Sequence, residues 1–248
     1  NGVGTASVDI TVAVASTMEL SLTGPAWNVG QSGLSGVRGQ ELTFTGAVAN
    51  PGTSIPESVK WDFGDGTATA YETITDLSAI PSEHVYLDAG QYTVTITVKA
   101  QDGSETSLSR QITIARMALQ IDPLQTGKYV VAVGGTVQDD NITILGNMSQ
   151  NGSSGSLIAT VITSNLAFSW STGITGSIEI VIGVFRATAN GFEAEFNRTI
   201  GGVTIDASLS QFGVPLGSVS RMALFGQAGD DDMQVSGNIE LSAWMYGG

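Results

Sequence analysis

From Met18 onward, apolar and polar residues alternate at every second position. Met18-Leu20-Leu22, Leu42-Phe44, Val59-Trp61-Phe63, Tyr92-Val94-Ile96-Val98 and Leu108-Arg110-Ile112-Ile114 each run on one parity. A period of two sends successive side chains to opposite faces, so each run predicts a strand with one buried face. Turn-forming residues separate the runs, and AQDGSE (Ala100 to Glu105) carries an Asp-Gly hairpin signal. The opening NGVGTASVDITVAVAS alternates in the same way, with Val8, Ile10, Val12 and Val14 on one face and Asp9 and Thr11 on the other. It predicts one long strand with no partner before it. Such a strand either pairs later in its own domain, closes a preceding domain, or is donated to a neighbouring subunit by edge addition.

Beyond Arg116 the alternation resumes in Tyr129-Val131-Val133, Ile142-Ile144, Leu157-Ala159-Val161, Ile178-Ile180-Ile182, Phe192-Ala194-Phe196, Met222-Leu224 and Met233-Val235. SLIATVITS and IEIVIGVF are nearly continuous apolar runs, as expected of strands covered on both faces. NGSSGS (Asn151 to Ser156) reads as a loop. No stretch of ten residues keeps a helical period. The chain is therefore expected to be all-β: a terminal strand over 1–16, a sandwich over 17–116, and a second β-rich domain, sandwich or roll, over 117–248.

Composition narrows the function classes. The 248 residues are 42% hydrophobic and 13% charged, enough to bury substantial cores. A net charge of −14 repels nucleic acid and anionic membrane and attracts cations. Cysteine is absent and histidine occurs once, at His84, which excludes disulfides, thiolate metal sites and a histidine zinc site. No apolar run approaches the ~20 residues that span a bilayer, so no membrane insertion is expected.

WDFGDGT (Trp61 to Thr67), HVY (His84 to Tyr86) and AGQYTVTITV (Ala89 to Val98) together resemble a PKD domain over roughly residues 17–115. The resemblance implies an immunoglobulin-like β-sandwich of the kind found in bacterial surface proteins and secreted hydrolases, acting as spacer, adhesive module or carbohydrate-proximal accessory. The residues read the same way on their own. Trp61 and Phe63 bury alternate side chains, and Gly-Asp-Gly supplies a turn with a positive φ. Trp61, together with Tyr92 two residues before Val94, matches the core anatomy of immunoglobulin-like sandwiches. Asp62 and Asp65 are expected to accept hydrogen bonds from turn amides, with His84 approaching the same end. A weak calcium site or an acid–base pair there is the alternative.

Two stretches of the second half resemble each other: VGGTVQDDNITI (Val133 to Ile144) and LFGQAGDDDMQV (Leu224 to Val235). The second is similar to the hemolysin-type (RTX) nonapeptide, with Gly226, Gly229, Asp231 and Met233 in the motif positions and Gln227 where a glycine is expected. In the first, Gly135 and Asp140 fit, while Thr136 and Gln138 replace glycines. The closing WMYGG looks like the lead-in to another such turn, and the whole second half resembles segments that precede RTX-like repeats in very large secreted bacterial proteins. The resemblance implies Ca²⁺ held between successive turns by carboxylates and carbonyls. Asp231 stands at the ligand position, Asp230 and Asp232 beside it, and Asp139 and Asp140 at the corresponding place in the first stretch. A solvated acidic turn is the other reading, and a catalytic carboxylate cluster a third.

No nucleophile elbow, P-loop or dinucleotide turn is present, so no enzyme is expected. The expected function is an extracellular, cell-surface structural or adhesive module, calcium-stabilised. Its partners are copies of itself or flanking domains, joined end to end with residues 3–14 completing a neighbour's sheet. The alternative is an accessory module of a secreted hydrolase that binds polysaccharide or protein through Trp27, Trp170 and Tyr71.

Overall fold

A computed structural model describes residues 17–148, 155–164, 167–169, 173–175, 178–188, 191–200, 203–212 and 219–248. Within 145–218, Val161 apart, the description is of the main chain. The opening strand with Val8, Ile10, Val12 and Val14, residues 151–154 of the NGSSGS loop, and Trp170 lie outside the described residues. Every described element is a strand, and no helix long and apolar enough to cross a membrane occurs among the described residues.

The first eight strands are β1 (Glu19–Thr23), β2 (Leu34–Val37), β3 (Glu41–Asn50), β4 (Pro56–Asp62), β5 (Glu72–Thr73), β6 (Ile80–Val85), β7 (Gly90–Ala100) and β8 (Glu105–Ala115). They form two facing sheets, β1-β3-β6 and β2-β8-β7-β4-β5. The alternating residues Leu42, Phe44, Trp61, Val94, Ile96, Val98 and Ile112 fill the space between them, each at most 2% exposed. The Asp-Gly signal becomes the β7–β8 hairpin, with Lys99 opposite Glu105. Tyr92 donates from its hydroxyl to the Asp88 carbonyl at 2.9 Å, tying the start of β7 to the chain just upstream.

The remaining strands are β9 (Met117–Ile121), β10 (Tyr129–Gly134), β11 (Asp140–Met148), β12 (Gly155–Ser164), β13 (Ala167–Ser169), β14 (Gly173–Thr175), β15 (Ile178–Thr188), β16 (Gly191–Ile200), β17 (Val203–Phe212), β18 (Val219–Phe225), β19 (Asp232–Ile239) and β20 (Ser242–Tyr246). One sheet runs β20-β18-β10-β9, the other β17-β16-β15-β12-β11-β19, and β13 pairs with β14. Strand–turn–strand units stack in parallel: Val130 pairs with Arg221 and Asn141 with Asp232, so β10–turn–β11 lies beside β18–turn–β19. The strand β20 repeats the step, with Arg221 opposite Ser242 and Phe225 opposite Tyr246. These are successive rungs of a β-roll. On the 21-residue step that separates Arg221 from Ser242, Val219 would follow Met148 directly. Residues 149–218, with the antiparallel strands β12 and β15–β17, are thus inserted between the first rung and the second, and they widen one sheet.

Met117, Leu119, Val131, Val133, Met222 and Leu224 of the first sheet pack against Ile142, Ile144 and Val161 of the second. Their neighbours Ala118, Val130, Ala132, Ala223 and Phe225 point the other way and pack on Val37 of the first unit. The sheet β20-β18-β10-β9 is therefore covered on both faces along β9, β10 and β18, which removes the polar alternation from those strands.

Candidate functional site at the joint and the roll edge

The junction of the two units is a polar seam enclosed by apolar side chains. Arg38, 1% exposed, donates from Nε to the Gly134 carbonyl at 2.9 Å. A Cβ at Gly134 would lie 2.3 Å from the Arg38 carbonyl oxygen, so the close approach of the chains requires glycine. Gln120 donates from Nε2 to Asn28 Oδ1 and to Gln40 Oε1, both at 2.9 Å, and accepts from Gln40 Nε2 at 3.2 Å. Trp27, nominated as an exposed binding aromatic, is half-buried against the first core, and its carbonyl accepts from Ile121 N–H at 2.8 Å. It belongs to the seam. Tyr71 is exposed, but its hydroxyl donates to Glu105 at 2.8 Å and the Lys99 ammonium lies 5.7 Å from its ring centre. The structure brings these two aromatics to different places.

The acidic turns of the two rungs stack on each other. Asp140, 3% exposed, accepts at Oδ2 from the Thr136 amide and hydroxyl. Its own amide donates to Asp231 Oδ1 at 3.0 Å, and the Asp230 amide donates to Asp139 Oδ1 at 2.9 Å. Asp232 accepts from Asn141 Nδ2 at 3.4 Å. The carboxylates of Asp139, Asp140, Asp231 and Asp232 thus brace a turn or link one rung to the next. Among the described residues no three acidic groups converge on one point. One oxygen stands apart: Asp231 Oδ2 is buried without a partner. Burial, together with the charges of Asp140, Asp139 and Asp230, raises the Asp231 carboxyl above its ordinary value, against the bond from the Asp140 amide.

Gln227 occupies the motif position where glycine was expected, and the backbone there explains the expectation. Its φ is +75°, the one non-glycine residue with positive φ among those described. The side chain has a use that glycine lacks: Nε2 donates to the Gly135 carbonyl at 2.6 Å and to the Leu87 carbonyl of the first unit at 3.1 Å. It clamps rung to rung and roll to sandwich.

The last strand lies along an edge. Trp244, Met245 and Tyr246 are 40%, 45% and 45% exposed, so Trp244 is not a core residue. The Arg221 guanidinium sits 4.2 Å from the centre of the Trp244 ring, and Tyr246 stacks on Phe225 with centres 5.1 Å apart. Arg221 is in turn gripped by Asp122 through two bonds of 2.7 Å.

At the end of the sandwich that meets the roll, WDFGDGT behaves as a braced turn. Asp62 accepts from Gly64 N–H at 2.9 Å, and Asp65 accepts from the Thr67 amide at 3.0 Å and its hydroxyl at 2.6 Å. Gly64 has φ +78°, and a Cβ there would meet the Thr93 backbone at 2.6 Å. His84 Nε2 lies 2.6 Å from Asp65 Oδ2, and its ring stacks on Phe63 at 4.1 Å. Burial pushes the Asp65 carboxyl up, but the bonds from Thr67 and His84 outweigh it and leave it below the ordinary value. Tyr86 closes the turn from below, donating to the Phe63 carbonyl at 3.0 Å.

Residues 25–115 match the PKD domain family model. Part of the chain is also similar to solved PKD domains: that of an M14-like peptidase from a Thermoplasmatales archaeon (17% identity, 39% of this chain and 92% of that one, TM-score 0.33) and PKD1 of the Vibrio cholerae metalloprotease PrtV (20%, 41% and 99%, TM-score 0.26). A structure from a study of carbohydrate-binding modules of the β-sandwich superfamily overlaps 82% of this chain and 86% of its own, at 14% identity and TM-score 0.32. The comparison with curated proteins found no match.

Sequence reasoning found the PKD turn and both acidic turns. It missed Arg38, Gln120, Asp122 and Arg221, which join the units and hold β20. A buried charge inside a strand pattern looks like a solvent position, so only the Gly134-Gly135 pair hinted at a close approach there.

Proposed function

We propose that this chain is a non-catalytic structural module of an extracellular, cell-surface assembly, in which a PKD sandwich is fixed to a β-roll and the roll is extended at its open edge by a strand from a second copy. The parallel ladder β10-β18-β20 carries this reading. Among the described residues β20 and β19 are the outermost strands on this side of their sheets, and Trp244, Met245 and Tyr246 of β20 are exposed there. An open edge offers unpaired N–H and C=O groups, and proteins that stay monomeric blunt such edges with proline or inward-pointing charge. The SAWMY strand has neither. PKD domains occur in extracellular proteins, which supports the location.

Calcium enters the proposal at the same edge. Carboxylate oxygens suit this hard cation, and Asp231 Oδ2 offers one ligand, while a docked rung would supply the others. The hemolysin-type resemblance of this turn points the same way.

Sedimentation velocity across a concentration series tests the reading. The chain is expected to self-associate, more strongly in Ca²⁺ than in EGTA. Trp244→Lys with Tyr246→Lys, which places charge on the edge, is expected to leave a stable monomer. A wild-type chain that stays monomeric throughout, with and without Ca²⁺, would overturn the proposal.

A further inference from the structure

The open flank of the PKD sandwich holds a cavity of about 250 Å³, between the edge strands β5 and β6 of the two sheets. Its floor includes Trp61 and Ile80, 2% and 5% exposed, and its rim carries the hydroxyls of Thr73 and Ser82 and the carboxylates of Glu72 and Asp76. The Trp61 indole N–H is buried and has no hydrogen-bond partner. A buried donor left unpaired is costly, and native structures rarely keep one without a use.

The lining selects its ligand by chemistry. It contains no lysine, arginine or histidine, so two carboxylates set its charge and disfavour anions. A bare cation would suit the carboxylates and leave the indole N–H unanswered. A hydroxyl answers both, because it accepts from the indole and donates to a carboxylate. The volume lies below the range of about 300–1,000 Å³ that takes drug-sized molecules, and suits one ring. We propose that this cavity binds a single neutral sugar ring, floored by Trp61 and held by Glu72 and the rim hydroxyls. Tyr71 precedes Glu72 but does not line the cavity, and its hydroxyl is engaged by Glu105. It is independent of the roll edge, so either proposal can fail alone.

The test is a ¹H–¹⁵N correlation spectrum of the chain, which contains four tryptophans. The Trp61 indole signal is assigned by losing the other three through Trp→Phe substitution. Methyl glycosides of glucose, galactose, mannose and N-acetylglucosamine are titrated in turn, with inorganic phosphate and CaCl₂ as controls. A saturable shift of the Trp61 signal with at least one glycoside is expected. Glu72→Gln, an exposed substitution, should weaken that binding about tenfold or more, the worth of one bond to a charged group. The proposal is overturned if no glycoside moves the Trp61 signal, if only phosphate or calcium does, or if Glu72→Gln binds as tightly as the parent.

Discussion

Asp122→Ala removes one partner of an ion pair that is buried on both sides. The Asp122 and Arg221 side chains are 0% and 7% exposed, and the carboxylate also accepts from Ser220 Oγ at 2.5 Å and Leu124 N–H at 2.8 Å. Removing it leaves a guanidinium in the seam with the Trp244 face as its remaining neighbour. An uncompensated buried charge costs about 3–5 kcal/mol. For a chain of this size each kcal/mol lowers Tm by roughly 2–4 °C, so a drop of roughly 6–20 °C is expected by calorimetry. The double variant Asp122→Leu with Arg221→Met removes both charges and should recover most of the loss, because apolar replacement of a buried pair is often neutral. Near-ultraviolet circular dichroism should report looser packing of Trp244 in the single variant. A loss below about 1 kcal/mol, the range of an exposed pair, would refute the reasoning.

Gln227→Ala keeps the positive φ and removes both bonds of the clamp, so a loss of about 1–3 kcal/mol is expected in urea denaturation. Gln227→Gly relieves the backbone strain and should lose less. The Asp65 carboxyl is held below its ordinary value of 3.8, so its contribution is present above that pH and lost as pH falls through the lower folded value. Asp65→Asn should therefore flatten the acid limb of a stability–pH curve in that window, and an unchanged limb would contradict the role given to Thr67 and His84. Asp231 carries the opposite sign: its raised folded value means that the ionised form costs stability at neutral pH. Asp231→Asn should raise Tm at neutral pH, with the gain vanishing in acid, and it should abolish any calcium-dependent rise in Tm.

The strands that were legible in the sequence are those with one wet face. In β3, β4, β7 and β8 the alternation survives because polar residues point outward, and the Gly-Asp-Gly turn announced its own geometry. The strand β9, MALQI, was hidden because it is covered on both sides, and β2 because it is short. Likeness between Val133–Ile144 and Leu224–Val235 was visible, but the inserted residues 149–218 concealed that the two stretches are consecutive rungs. The segment read as the lead-in to another turn forms the strand β20, in register with β18. Trp27, read as a candidate binding aromatic, is half-buried in the seam. A tryptophan in a loop carries no sign of the seam that Asn28 and Gln120 build around it.

Hydrogen exchange along β20 tests the joining role of the roll edge most directly. The account predicts that the amides of residues 242–246 gain protection as protein concentration rises in Ca²⁺, while those of the buried strand β7 stay constant. Amides of residues 242–246 that exchange at one rate at every concentration would contradict it.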